Sequence, residues 1–434
     1  MMNRERKNIM YHTAKPTEKL LEWQDMELGV LIHYLIDIYK PDCHPKHSVI
    51  AEEIPPSSIN PSRLDPEQWV VCAKEAGAKY AILVAKHCTG FALWPTAENE
   101  FSCKYMPWKD GKGDVVGEFI AACKKHGLAP GLYYSTGCNG FYGINDGERQ
   151  DYKSEKYQAY VGVVERQLTE LWSNYGELFE IWFDGGTIPE ELGGPAIPAL
   201  LKKYQPQAVC FQGPEEWENN TRWVGNEDGD VPFDCWAATG PGGNSFDGTE
   251  KNEKTGVGNP NGIFYRPAET DMPNRKNSAF GGGWGWQPGE AHLAFTPEYL
   301  LDRYIKSVGR NTNLLLGMAI SKEGDFEDEE QFREFGRLLK QTFGKPLYLC
   351  ENPELRDGKI YIPAVAGGKY LVLREDIREG QRIRGYSLTQ GDKTVFSAKS
   401  LGNKRIIPID REGGATLAIT ESDGRPALRE IAVY

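Results

Sequence analysis

DPEQWVVCAKEAGAKYAILVAKH, residues 65–87, decides the fold. Its first half opens on Asp65 and Pro66, a helix-capping residue followed by the residue suited to a first helical position, and it stops at Gly77. Its second half, KYAILVAKH (79–87), is an apolar, β-branched run that ends in the polar pair Lys86 and His87. That is the pattern of a buried strand whose last residues face something other than core. A helix leading directly into such a strand is the repeating unit of a parallel α/β sheet.

The same unit recurs on both sides. Strands are predicted at LGVLIHY (28–34), APGLYYS (129–135), LFEIWFDG (178–185), AVCFQG (208–213), TRWVGNE (221–227), IFYRPAE (263–269) and NTNLLLGM (311–318). With 79–87 they make eight candidates. Helices are predicted at 114–127, 154–176, 296–309 and 327–344, several of them opening on a capping residue and closing on glycine. Eight strands with interleaved helices over ~300 residues suit a closed barrel better than an open sheet, so the expected fold is α/β, a (β/α)8-like TIM barrel. From about residue 345 the composition changes to short alternating runs, KIYIPA, KYLVLRE, QRIRGYSL, KTVFSA and TLAITE, separated by turn residues. The division expected is a catalytic barrel over 1–344 and a C-terminal antiparallel β-sandwich over 345–434. Two long polar stretches, 136–153 and the Gly/Asn-rich 237–262, read as functional loops or lids leaving the carboxyl ends of strands.

Composition narrows the function. The chain has 434 residues, 40% hydrophobic and 26% charged, enough for a large core and a second domain. A net charge of −12 without any basic stripe argues against a nucleic-acid partner and fits a neutral or small substrate. No run approaches the ~20 apolar residues of a membrane span, and the amino terminus, MMNRERKNIMYHTAKPTEK, lacks the apolar core of a secretory signal. The expected location is the cytoplasm, or the periplasm or exterior had a signal been removed. The nine cysteines are scattered, odd in number and free of CxxC pairs, which points to free thiols in a reducing compartment. Cys72 and Cys123, in apolar helical patterns, are expected to be buried.

Active sites of such barrels are built where the strands end. The polar residues in those positions are His33, His87, Tyr133, Asp184 and Glu227. A carboxylate closing a core strand is costly unless it is solvated, hydrogen-bonded or used, although Asp184 could also cap the next element. Glu227 lies in the acidic run NEDGD, which could be a solvated turn or a calcium loop but lacks EF-hand spacing. Two carboxylates on two strands can hydrolyse a glycoside, one attacking the anomeric carbon and the other serving the leaving oxygen and then water. Trp94, Trp182, Trp223, Trp284 and Trp286 fall near strand ends or loops, and indole faces suit the apolar side of a sugar ring. There is no GxSxG elbow, HExxH, P-loop or dinucleotide fingerprint. Cys43, His44 and His47 could bind a metal, but a surface turn accounts for them better.

These motifs resemble glycoside hydrolase family 29, the α-L-fucosidases, along nearly the whole chain. LGVLIHY is similar to the family's GxFxHWG strand, AGAKYAILVAKHCTGFALWPT to its AGAKYxxLTxKHHDGFxLWPS stretch, and HGLAPGLYYS to HGLKxGLYYS. EIWFDGG and RWVGNEDG resemble the segments that carry the nucleophile and the acid/base. YRPAETD, SVGRNTNLLLGM and YLVLREDIREGQRIRGY resemble later motifs of the barrel and sandwich. The resemblance implies a retaining α-L-fucosidase with Asp184 as nucleophile and Glu227 as acid/base. It further implies that His33, His87, Tyr133 and Trp182 line the sugar pocket, with Trp94, Trp284 and Trp286 closing it. The RWVGNE form resembles the branch that prefers α1,3- and α1,4-linked fucose.

Departures fall among the same motifs. Where the family has HHDG this chain has His87, Cys88, Thr89 and Gly90; Tyr34 replaces the tryptophan of HWG, and Gly317 the asparagine of LLLN. Changing one donor or acceptor in a polar pocket can redirect which hydroxyls are tolerated. Two alternatives therefore stand beside the fucosidase: a retaining glycosidase for a fucose-like sugar such as a galactoside, and a non-catalytic carbohydrate-binding protein. The chemistry requires no metal or organic cofactor, so activity is expected to survive a chelator. The expected partner is an oligosaccharide or glycoconjugate.

Overall fold

A computed structural model of the chain describes residues 14–40, 53–144, 150–241, 256–409 and 413–434. Its centre is a closed eight-stranded parallel barrel. The strands, in chain order, are β1 (Leu28–His33), β2 (Tyr80–Lys86), β3 (Ala129–Tyr134), β4 (Glu180–Trp182), β5 (Val209–Phe211) and β6 (Asn220–Trp223). A two-stranded antiparallel ribbon, β7 (Ala238–Thr239) with β8 (Phe264–Tyr265), comes next; β9 (Ala268–Met272) and β10 (Thr312–Ala319) then complete the barrel. Closure comes from β1 pairing with β10, Leu28 opposite Leu314 through His33 opposite Ala319.

One predicted strand is corrected. The segment 263–269 does not form a single barrel strand. Phe264–Tyr265 belongs to the ribbon, Pro267 separates the ribbon from β9, and the barrel strand is Ala268–Met272. Proline has no N–H to give to a ladder, which favours a break at that point.

Around the barrel run α1 (Glu18–Met26), α2 (Pro66–Glu75), α3 (Val115–His126), α4 (Glu155–Asn174), α5 (Ile197–Tyr204), α6 (Pro297–Ser307) and α7 (Glu329–Phe343). The expected caps form: Asp65 accepts from the N–H of Glu67, Asp114 from Gly117, Ser154 from Tyr157 and Thr296 from Tyr299. Cys72 and Cys123 are buried on α2 and α3. Helix α1 is an addition to the helices predicted from the sequence. It docks on the barrel, where Trp23 is fully buried, donates its indole N–H to Glu180 and accepts from Asn313 through its carbonyl.

The barrel interior is packed with large and polar side chains. Gly29 on β1 faces the Tyr80 ring so closely that a Cβ there would lie 2.4 Å from it. The missing side chain lets the Tyr80 hydroxyl reach across to Glu269 at 2.7 Å.

After α7 come β11 (Tyr348–Glu351), β12 (Lys359–Ile362), β13 (Tyr370–Glu375), β14 (Ile383–Gln390), β15 (Lys393–Ala398), β16 (Arg405–Pro408), β17 (Ala415–Ser422) and β18 (Leu428–Val433). They form two four-stranded antiparallel sheets, in the orders β11-β18-β13-β16 and β12-β17-β14-β15. Their shared core includes Leu373, Ile383, Leu388 and Leu417. Polar contacts tie this sandwich to the barrel. Glu27, just before β1, accepts from Lys404 at 2.9 Å and from Tyr304 at 2.6 Å, and pairs with Arg374. Those cations hold its carboxyl well below the usual range in spite of burial.

No described helix is long and apolar enough to cross a membrane. The amino-terminal residues 1–13, the cluster Cys43, His44 and His47, and the middles of both expected loops, 145–149 and 242–255, lie outside the described residues.

Candidate active site

Parallel pairing sets the first layer of the site. Tyr133 on β3 is the register partner of Trp182 on β4, and Trp182 that of Phe211 on β5. Their inward side chains therefore stack as a continuous row. Trp182 lies 4.0 Å from Phe211 and 5.3 Å from Tyr133, nearly parallel to both, and His87 continues the row at 5.7 Å. His87, Tyr133 and Trp182 of this row floor one side of a cavity of about 190 Å³ at the carboxyl ends of the strands. Leu31, His33, Asp184, Glu227, Asp271 and Trp284 complete most of its wall.

Asp184 and Glu227 are both exposed to this cavity. Asp184 follows β4, and its Oδ2 accepts from the Tyr133 hydroxyl at 2.6 Å. Glu227 follows β6 on a short turn in which Asn226 accepts from the N–H of Asp228. Its Oε2 accepts from the Trp284 indole at 3.1 Å, and the Trp284 ring also lies 4.9 Å from His33. His33 is buried, and its Nδ1 lies 3.2 Å from the Leu31 carbonyl, which assigns the proton to Nδ1 and leaves Nε2 as the acceptor. Burial and the neighbouring His87 lower its pKa to about 3, so it stays neutral.

Below these groups lie carboxyls of a different kind. Glu269 and Asp271 alternate on β9 and both point inward, as period-two geometry requires. Asp271 accepts from the Trp223 indole at 2.6 Å; burial, reinforced by the charge of Glu227, pushes its pKa well up. Glu269 accepts from Tyr80 and, at 2.9 Å, from the Trp182 indole, and burial pushes it to about 7. Glu180, fully buried, accepts from Trp23 at 3.0 Å; burial and the nearby Glu269 raise it well above the ordinary value.

The family model described as alpha-L-fucosidase matches residues 56–342. The chain belongs to the α-L-fucosidase family. It is accordingly a glycoside hydrolase. It is similar to alpha-L-fucosidase 1 of Arabidopsis thaliana, with 29% identity covering 90% of this chain and 81% of the relative. It is also similar to a putative alpha-L-fucosidase 1 of Oryza sativa, with 32% identity over 76% of this chain and 60% of the relative, less than two thirds of that protein. Among solved structures, a putative alpha-L-fucosidase from Bacteroides thetaiotaomicron superposes with a TM-score of 0.87 at 29% identity, covering 97% of this chain and 99% of that one.

Within this fucosidase framework His33, His87, Tyr133, Trp182, Asp184, Glu227 and Trp284 meet at one cavity. Two tryptophans expected there do not. Trp94 is buried in the wall, its ring near Tyr134 and its indole donating to Glu170 at 2.7 Å. Trp286 points away and donates to Glu327 at 2.8 Å. Asp230, in the acidic run after Glu227, is engaged by Arg303 at 3.1 Å and Arg310 at 2.8 Å.

The motif departures sort themselves spatially. Tyr34 faces away from the cavity, bonded to Tyr39 at 3.0 Å, so it does not alter the pocket. At Gly317 a Cβ would lie 2.7 Å from the Trp284 ring. The glycine thus makes room for the indole that contacts Glu227. Cys88 lies beside Asp184, in a small recess adjoining the main cavity. Sequence reasoning missed Asp271 and Glu269; placing the strand at 268–272 would have put both on the inner face by alternation alone.

Proposed function

We propose that this fucosidase-family enzyme is a retaining exo-glycosidase that releases terminal α-L-fucose, with Asp184 as nucleophile and Glu227 as acid/base. The observation that carries the reading is the pair itself: two exposed carboxylates in one aromatic-floored cavity, each held by an aromatic donor through one oxygen.

Tyr133 donates to Oδ2 of Asp184 and so fixes the carboxylate that attacks the anomeric carbon. Glu227 gives its proton to the glycosidic oxygen as that C–O bond breaks, leaving a fucosyl ester on Asp184. The Glu227 carboxylate then takes a proton from water, whose oxygen attacks the same carbon and releases Asp184 and fucose. Trp284, bound to Oε2 of Glu227, leaves Oε1 to carry the proton in both directions. Neutral His33, with Nε2 as acceptor, suits a sugar hydroxyl, and His87, Tyr133 and Trp182 offer further polar edges and a face for the ring. The RWVGNE segment favours α1,3- and α1,4-linked fucose on branched oligosaccharides.

Cys88 and Thr89, standing where the family motif has histidine and aspartate, favour a second reading in which the same chemistry acts on a fucose-like sugar such as a galactoside.

The test is product release from fucosylated and galactosylated oligosaccharides, with the first-formed anomer followed by NMR. Release of α-fucose, abolished in Asp184→Ala and Glu227→Ala, is expected. Galactose release would move the second reading forward; sugar binding without product would leave a carbohydrate-binding protein.

A further inference from the structure

The recess beside Asp184 has a volume of about 50 Å³, and Cys88, Ser135, Cys138 and Gly186 are among the residues that line it. It is built where three adjacent barrel strands end: His87 and Cys88 after β2, Cys138 after β3 and Asp184 after β4. One ligand atom each from His87, Cys88 and Asp184 lie within 4.8 Å of one another. Cys138 lines the same recess, and its thiol donates to the Cys88 carbonyl oxygen at 3.7 Å. An imidazole, a thiol and a carboxylate thus converge, and a second thiol, that of Cys138, stands on the wall of the adjoining recess.

We propose that His87, Cys88, Cys138 and Asp184 form a binding site for a borderline-soft divalent cation of the zinc and cadmium class, and that its occupancy switches the enzyme off. The donor set is the chemical match for such ions, since thiolate and imidazole select them over magnesium or calcium. Metal–ligand bonds of ~2.0–2.3 Å in a tetrahedron place the ligand atoms ~3.3–3.8 Å apart, so His87, Cys88 and Asp184 close on an ion by side-chain movements of about 1 Å, and Cys138 completes the four by turning its thiol from the Cys88 carbonyl. Binding displaces one proton from each thiol to solvent: M²⁺ and two Cys–SH give M(Cys–S)₂ and two H⁺, with no change of oxidation state. The inhibitory part rests on the reading of Asp184 as nucleophile, because a carboxylate oxygen bound to a cation is withdrawn from attack. The cation is an inhibitor on this account, and activity in chelator is retained.

The site is tested on the full, reduced, chelator-treated chain by titration with Co²⁺, whose thiolate charge-transfer absorption reports cysteine ligation, and by equilibrium dialysis with Zn²⁺. One saturable equivalent with a thiolate band is expected. Cys88→Ser and Cys138→Ser, checked for an unchanged Tm, are expected to lose band intensity and to weaken Zn²⁺ binding beyond the ~10–100-fold typical for loss of an outer-shell partner. Zn²⁺ is expected to abolish turnover reversibly and to compete with fucose. Absence of a thiolate band, or unchanged binding in both variants, overturns the site. The cobalt spectrum reads the ligands whether or not fucosides are cleaved. A chain that binds cobalt but releases no fucose therefore refutes the proposed function and leaves the metal site standing.

Discussion

Glu180 and Asp184 bracket the end of β4, and Glu269 and Asp271 alternate along β9, yet these carboxyls inhabit two different media. Asp184 and Glu227 stand exposed at the mouth of the barrel. Glu180 and Glu269 are fully buried in its interior, held by Trp23, Tyr80 and Trp182. Burial raises both members of the interior pair, and the nearby Glu269 raises Glu180 further. Depth along the barrel axis therefore sets what a carboxyl does. At the mouth it faces the cavity; in the interior it is a polar strut for the aromatic residues above it. Trp182 joins the two levels, its indole bound to Glu269 and its ring forming part of the cavity wall.

The contrast breaks most visibly at the nucleophile. Asp184→Ala is expected to lower kcat by at least ~10⁴-fold while Tm changes little, since the side chain is solvated. Glu227→Gln is expected to cost ~10²–10⁴-fold on natural glycans. That loss should shrink on an aryl fucoside whose leaving group needs no proton, which assigns the defect to proton donation.

The interior pair is expected to show itself in stability instead. A carboxyl raised from 4.5 to about 7 in the folded state is ionised in the unfolded chain and protonated in the folded one between those values. The unfolded state then binds fewer protons, so its contribution to stability is fully present below pH ~4.5 and is lost as pH rises through about 7. For Glu269 this amounts to at most about 3 kcal/mol. Urea unfolding at pH 5 and pH 7.5 should show the decline, and Glu269→Gln should lessen it; an unchanged slope would place the titration elsewhere. Glu180 and Asp271, and Glu375 in the sandwich, all raised by burial, supply components that survive this substitution.

Gly317→Ala probes the mouth more gently. Its Cβ would meet the Trp284 ring at 2.7 Å, so the indole must shift away from Glu227. A fall of ~10-fold in kcat/KM is expected from misplacement of this kind, mostly in kcat. An unchanged value would show that Trp284 does not position the acid/base.

Most of the barrel is legible in the sequence because β1, β2, β3 and β10 are continuous apolar runs, as strands covered on both faces must be. The polar ends of those runs name most of the cavity. β9 escapes because AETDM carries carboxylates on its inner face and offers no apolar run, so the pattern points instead to the more hydrophobic IFY that precedes it. Helix α1, EKLLEWQDM, gives little local signal; its importance lies in what Trp23 touches across the barrel. Trp94 and Trp286 show a related boundary. Sequence places an indole near a rim, but only packing tells which way it turns.

The carboxylate of Glu27 has a consequence for anyone dividing this gene. It sits at the entrance of the first barrel strand, yet both cations that neutralise it, Arg374 and Lys404, are encoded downstream of the barrel. A fragment ending before residue 345 would translate a barrel with that acid stripped of both counterions and of the strands that bring them to it. The sandwich is in this sense no detachable appendage: the two halves are one unit of expression, and shuffling barrels and sandwiches between relatives requires these three positions to travel together.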